Sequence, residues 1–354
     1  TDCIMLTANY KLIRFRFKKP AGTSRGELRE KVSYFIFLRD TEQPGLNGTG
    51  ECSIIPGLSP DDRPDLEKRI HDVCREVERL SAEPHSDLSD WPAVQTAINM
   101  AFTDLKNGGK GVYFPSSFTE GKTVLRNHGL IWMSPPGEML KQIEQKLLSG
   151  HHTIKMKIGA WPMSEELAVI KTIRREFRPE EVSIRLDANG AYSPREALNM
   201  LNRLAEYEIH SVEQPIQKGQ HEAMAALCAD SPVAIALDEE LIGVTFPDSR
   251  RNLLSLIKPA FLVLKPSLLG GFSAANDWVE AAGAAGIPWW TNSALESAIG
   301  LNALAQWTAS TGNSQVQGLG TGDLFTFNIP SPVETIHGVV RYNPEKTLDL
   351  TSLI

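Results

Sequence analysis

The segments TIKMKI (153–158), VSIRLDA (182–188), IHSVEQ (209–214), VAIALDE (233–239) and AFLVLK (260–265) decide the fold. Each is a short apolar run that ends in charged residues and is followed by a longer stretch of helical character. LIWM (130–133) precedes this series, and IPWWT (287–291) and SQVQGL (314–319) follow it, so eight strand candidates alternate with helices. Parallel strands need crossover connections, which helices normally supply, and eight such units suit closure into a barrel. An open doubly wound sheet is the alternative, but no G-x-G-x-x-G follows the first strand. The expected class is α/β, a modified (β/α)7β TIM-type barrel.

The ends of these strands carry the chemistry. Lys155 and Lys157 end the second strand, Asp187 and Asn189 the third, Glu213 the fourth, Asp238 and Glu239 the fifth, and Lys265 the sixth. From Asp187 to Glu213, Asp238 and Lys265 the intervals are 26, 25 and 27 residues, one βα unit per step. Barrel active sites lie at the C-terminal face, so these side chains should converge on one pocket mouth. Three converging carboxylates repel one another unless they are protonated or share a cation. Oxygen ligands without Cys or His favour Mg²⁺ or Mn²⁺ over zinc. Two lysines flanking such a cation should have lowered pKa values, and a neutral lysine can act as a base. That combination suits proton abstraction next to a carboxylate, where a bound cation offsets the charge that builds up on oxygen. Glu239 should point away from Asp238 and support the ligands from behind. Asn189 lies near the metal site as an orienting residue or a loop turn. Asn292 and Ser293, ending the seventh strand, are candidates for binding a substrate carboxylate at the start of the next helix, or for capping that helix.

Upstream, YKLIRFRF (10–17) and KVSYFIFLRD (31–40) read as a hairpin with a long loop between them. Helices follow at 59–80 and 90–106, the second with Ser89, Asp90 and Pro92 as start signals, and NGGKG (107–111) breaks the chain. Residues 1–110 are therefore expected to form an α+β capping domain, and 111–324 the catalytic barrel. Residues 21–26 are a candidate lid, and Gly50 and Glu51 form a second cap element expected to face the barrel mouth. His151 and His152, before the second strand, belong at the opposite end of the barrel as solvated residues. Trp289 and Trp290 belong to the barrel core.

Composition sets the partners. The 354 residues hold 36 Lys and Arg against 43 Asp and Glu, a net charge of −7, which offers no attraction for nucleic acid. No apolar run approaches the roughly 20 residues that cross a bilayer. Cys3, Cys52, Cys74 and Cys228 lie far apart with no zinc-site spacing, which suits a reducing, cytoplasmic setting, and the N-terminus lacks signal-peptide features.

Through K-M-K (155–157), RLDANGAYSP (185–194), VEQP (212–215), LDEEL (237–241) and VLKPSLLGG (263–271), the chain resembles the enolase superfamily in its muconate-lactonizing subgroup. NSALESAIGLNALAQW (292–307) and GLGTGDLF (318–325) are most similar to the o-succinylbenzoate synthase family. The resemblance covers nearly the whole chain. It implies an N-terminal α+β cap, a (β/α)7β barrel and a C-terminal segment, 325–354, that returns to the cap. It also implies Asp187, Glu213 and Asp238 as Mg²⁺ ligands, Lys157 as acid/base and Lys265 as the cation across the ring, with Lys155 in support. The implied reaction is dehydration of 2-succinyl-6-hydroxy-2,4-cyclohexadiene-1-carboxylate to 2-succinylbenzoate in menaquinone biosynthesis.

N-acylamino acid racemase, dipeptide epimerase and muconate-type cycloisomerase activities begin with the same proton abstraction. An epimerase usually has an acidic D-x-D pair on strand eight, where this chain reads QVQGLGTGD, neutral up to Asp323. A non-catalytic binding protein is disfavoured because every ligand and lysine position is filled. LDEE stands where many relatives have D-E-S, which leaves the role of Glu240 open.

Overall fold

The amphipathic runs near the N-terminus pair as an antiparallel sheet, β1 (Leu6–Thr23), β2 (Gly26–Asp40) and β3 (Asn47–Ile54), with β2 in the middle. The computed structural model describes residues 6–23, 26–80 and 85–351. The expected long loop is instead a continuation of the β1–β2 ribbon. Pairing shifts register between Arg16 and Ala21, where Pro20 has no N–H to give the ladder, and resumes as far as Thr23 opposite Gly26. Of the candidate lid at 21–26, Ser24 and Arg25 lie outside the described residues, as do residues 1–5 with Cys3. Gly22 rests on the barrel, its carbonyl accepting the N–H of Met133 at 3.3 Å.

Pro60 and Pro64 delay the first helix, which is α1 (Leu66–Arg75), and α2 follows at Pro92–Lys106. Helix α2 lies directly on β3. A Cβ built on Gly48 or Gly50 would stand 2.0 or 1.9 Å from the carbonyl oxygens of Ala101 and Ala97, so this approach requires glycine. The cap core gathers Ile36, Leu38, Ile70, Val94, Ala97 and Ile98 between sheet and helices.

Beyond a short strand, β4 (Val124–Arg126), the barrel strands run parallel in sequence order: β5 (Gly129–Ile131), β6 (Thr153–Lys157), β7 (Ser183–Asp187), β8 (Ser211–Glu213), β9 (Ile235–Leu237), β10 (Phe261–Leu264) and β11 (Trp289–Thr291). Their connections are α3 (Pro136–Leu148), α4 (Met163–Glu176), α5 (Pro194–Leu204), α6 (His221–Asp230), α7 (Pro247–Ile257), α8 (Pro266–Leu269) and α9 (Gly271–Ala285), with α10 (Ala298–Ser310) after β11. Helices cover the outside, and the strand residues that alternate with the inward-facing charges, such as Ile154, Met156, Ile184, Leu186 and Val212, are apolar and fully buried.

The eighth element, expected at 314–319, is shorter than a strand. Gln317 bridges Asn127 and Gly318 bridges Asn292, so two residues close the ring. Their hydrogen bonds run to both edges: His128 N–H to Gln317 O at 2.9 Å, Gly318 N–H to Thr291 O at 2.7 Å and Ser293 N–H to Gly318 O at 2.9 Å.

The chain then crosses back to the cap, with Phe325 bridging Phe17 and its ring 5.0 Å from that of Phe17 and 5.2 Å from Phe15. It ends in the hairpin β12 (Val333–Ile336) and β13 (Val339–Tyr342), which pairs with β4. Trp290 is fully buried inside the barrel with the Arg185 guanidinium 3.8 Å above its ring, while Trp289 packs on Trp307. His151 corrects an expectation: it is buried, its Nδ1 3.1 Å from both Ser149 Oγ and Lys146 O, whereas His152 is exposed. Among the described residues no helix is long and apolar enough to cross a membrane.

Candidate active site

Parallel register sets a row of charged residues. Lys157 is opposite Asp187, and Asp187 is opposite Glu213, so neighbouring strands deliver a cation and two anions at one height. Asp238 and Lys265 lie just past the ends of β9 and β10. Period-two alternation turns both Lys155 and Lys157 into the same cavity, where Lys265, Asn189, Asn292 and Ser293 also stand.

The lysines and carboxylates are interlocked. Lys155 Nζ donates to Glu213 Oε1 at 2.6 Å and lies 2.8 Å from Asp187 Oδ2. Lys157 Nζ donates to Asp187 Oδ2 at 2.6 Å and to Asn189 Oδ1 at 2.7 Å. Lys265 donates to Asp238 Oδ2. Asn189 takes a left-handed conformation at φ +45°, and its amide donates to Glu239 Oε1 at 3.0 Å, so Glu239 holds Asn189, which holds Lys157.

All these groups are buried, which makes their charges interdependent. Burial raises the Asp187 carboxyl, but Lys155, Lys157 and Lys265 outweigh it and hold the group well below the usual carboxylate range. Burial lowers the Lys157 ammonium despite the pull of Asp187. For Lys155 and Lys265 burial is overcome, by Asp187 and Glu213 in one case and by Asp238 and Glu213 in the other, and both are raised. Without a bound cation only Lys157 is lowered, because it shares Asp187 with Lys155, whereas Lys265 is surrounded by Asp238, Glu213 and Glu239. Burial, then Asp187 and Asp238, push the Glu213 carboxyl well above its normal value.

Among the described residues no three His, Cys, Asp or Glu side chains form a ready-made ligand cluster, since the ammonium groups stand between the carboxylates. The donor set nevertheless fits a hard cation. It is all oxygen, and Glu213 Oε2 is buried without a hydrogen-bond partner while its carboxyl is strained by two other acids. Asp187, Glu213 and Asp238 are the residues that would hold such an ion.

The cap supports the pocket wall. Glu51 is fully buried and accepts from Ser33 Oγ at 2.6 Å, Ser297 Oγ at 2.6 Å, Ser297 N at 2.9 Å and Gly300 N at 2.9 Å. Lys31, 3.5 Å from Glu51, donates to Leu295 O at 2.7 Å. The α10 N-cap is Ser297, so Asn292 and Ser293 do not take the capping role that is the alternative to substrate binding. Ser293 is five residues short of the helix and donates to Glu296 Oε2 at 2.6 Å. Glu51→Ala leaves Lys31 as an uncompensated buried charge and is expected to destabilise the protein by about 3–5 kcal/mol, measured by denaturant unfolding.

Sequence reasoning missed this clamp, because nothing in the spacing of Lys31, Glu51 and Ser297 joins them. It also missed Gln214 and His128. Gln214 Oε1 accepts the Asp238 and Glu240 N–H groups, both at 3.2 Å, and its amide donates to Glu240 Oε2 at 3.0 Å. Glu240, left without a role from sequence, accepts that bond and one from Gly219 N–H at 2.7 Å. The VEQP motif contained the signal for Gln214.

Residues 138–345 match the family model described as "Enolase C-terminal domain-like". The chain is 41% identical to an o-succinylbenzoate synthase of Desulfotalea psychrophila, over 94% of this chain and 98% of the relative. A crystal structure of MenC from the same organism superposes with a TM-score of 0.83 at 38% identity, covering 95% of this chain and 99% of that one. A dipeptide epimerase from Enterococcus faecalis, solved with Mg and the dipeptide L-Leu-L-Tyr, shares the fold at TM-score 0.76 and 19% identity, covering 97% and 98%.

Proposed function

The chain belongs to the enolase superfamily, and from that premise we propose that it catalyses the Mg²⁺-dependent dehydration of 2-succinyl-6-hydroxy-2,4-cyclohexadiene-1-carboxylate to 2-succinylbenzoate. The observation that carries this reading is the pair of buried lysines, Lys157 on the second barrel strand and Lys265 after the sixth, which line one cavity and are each paired with a carboxylate, Asp187 and Asp238. The 41% identity to an o-succinylbenzoate synthase supports the choice of substrate, and the name MenC of a structural relative supports a place in menaquinone biosynthesis. The free thiols Cys52, Cys74 and Cys228 support a reducing, cytoplasmic setting.

Asp187, Glu213 and Asp238 would hold a divalent cation, Mg²⁺ or alternatively Mn²⁺, which when bound would supply positive charge to offset the charge that develops on the carboxylate oxygens. Lys157, as the neutral amine, takes the proton alpha to the ring carboxylate. The C–H electron pair moves into the carboxylate as an enediolate, and the Lys265 ammonium stabilises that charge. The pair then returns to close the aromatic ring as the C–O bond breaks. Lys157 gives its proton to the departing hydroxyl, which leaves as water. Asn189 and Asp187 hold the Lys157 nitrogen in place throughout, and Lys155 keeps the Asp187–Glu213 pair compensated.

A side-by-side assay tests this reading: dehydration of the cyclohexadiene substrate against racemisation of an N-acylamino acid, with the same enzyme and metal. Dehydration is expected to have the larger kcat/KM by orders of magnitude, and the reverse order would transfer the assignment to the racemase activity.

A further inference from the structure

Two buried polar atoms on residues that line the catalytic cavity have no hydrogen-bond partner and take no part in the lysine–carboxylate network. His128 and Asn292 are each 4% exposed and line the cavity. His128 Nδ1 and Asn292 Oδ1 have no hydrogen-bond partner. Buried polar groups are rarely left unsatisfied, so this pairing marks a place where something is bound.

Barrel closure brings them together. Gly318 bridges Asn292 on one side, and its neighbour Gln317 bridges Asn127 on the other, so His128, Gly318 and Asn292 stand in one row. The missing side chain of Gly318 lets the two side chains meet over its backbone: a Cβ there would lie 2.0 Å from Asn292 Oδ1 and 2.7 Å from His128 Cε1. Asp187, Glu213 and Asp238 belong to strands three to five, across the ring from this row on strands one, seven and eight. A ring carboxylate placed beside the acids and lysines therefore directs the rest of the substrate toward His128 and Asn292.

We propose that His128 and Asn292 are the second anchoring point of the substrate, a neutral hydrogen-bonding pair that holds the oxygen atoms of its succinyl side chain. Burial, with Arg185 and Lys155 nearby, keeps the imidazole uncharged, so it offers one N–H donor. The Asn292 amide presents Nδ2 after a half-turn about its terminal torsion. The inference rests on the dehydratase reading above and assigns the half of the substrate that the proton-transfer residues do not touch.

The test compares o-succinylbenzoate with benzoate, which lacks the side chain. In His128→Phe, o-succinylbenzoate affinity is expected to fall about tenfold and KM to rise in step, with benzoate affinity and kcat little changed. His128→Gln, which keeps a donor, should recover most of the loss. In the unmodified protein the His128 Nδ1 resonance should shift with o-succinylbenzoate and not with benzoate, a readout independent of whether the variants fold. Equal losses for both ligands, or an unmoved Nδ1 resonance, would overturn the proposal. A wild-type protein that turns over no cyclohexadiene substrate would instead overturn the reading on which it rests.

Discussion

Replacing Lys157 by alanine is expected to lower turnover of the cyclohexadiene substrate by about 10²–10⁴-fold, the range for loss of a positioned acid/base group. In the proposed mechanism one group performs both proton transfers, so the effect belongs at the upper end of that range. Affinity for o-succinylbenzoate should remain within about tenfold of wild type, because the product presents no proton for Lys157 to remove. Lys157→Arg sharpens the result. Arginine keeps the positive charge opposite Asp187 but is not deprotonated, so a base loses its function while an ion-pair partner keeps it. Comparable turnover losses in both variants are the predicted outcome. Near-normal turnover in the arginine variant would show that charge, not proton transfer, is what the position supplies.

The second large effect concerns Glu213. Burial and two neighbouring carboxylates make its ionised form costly, and its Oε2 has no hydrogen-bond partner. A divalent cation removes both penalties together, so Mg²⁺ is expected to raise the melting temperature of the wild-type protein, by an increment that grows with its concentration above Kd. Glu213→Gln should abolish that increment and reduce turnover by at least about 10²-fold, comparable with removing an electrostatic group from an active site. Calorimetric titration with Mg²⁺ and thermal melts of both proteins measure the two halves separately. A glutamine variant that still gains Mg²⁺-dependent stability would place the ion elsewhere.

The legible parts of the molecule were those whose signal is local or periodic. Strand-end charges at one βα interval stood out because parallel register carries each to the same height, as Lys157, Asp187 and Glu213 do. The eighth strand was less legible: its closure depends on two residues, and Gly318 matters for the side chain it lacks. The ribbon from Lys18 to Thr23 has the composition of a loop, with lysines, proline and glycine, yet pairing resumes past Pro20. Long-range partners left no trace in spacing. Glu51 reaches Ser297 across 246 residues, and His151 is buried by Ser149 and the turn after α3, not by any feature of its own motif. Charge states were legible only in part, since the charge of Lys265 is set by the direct approach of Asp238, which favours the ammonium form.

The most direct measurement follows ultraviolet absorbance as o-succinylbenzoate forms from freshly generated cyclohexadiene substrate, first with Mg²⁺, then with excess chelator, then with Mg²⁺ restored. The account predicts rapid formation, loss on chelation and recovery on restoration. Turnover that survives chelation unchanged would contradict the metal-assisted mechanism, and absence of turnover with Mg²⁺ bound would contradict the dehydratase function.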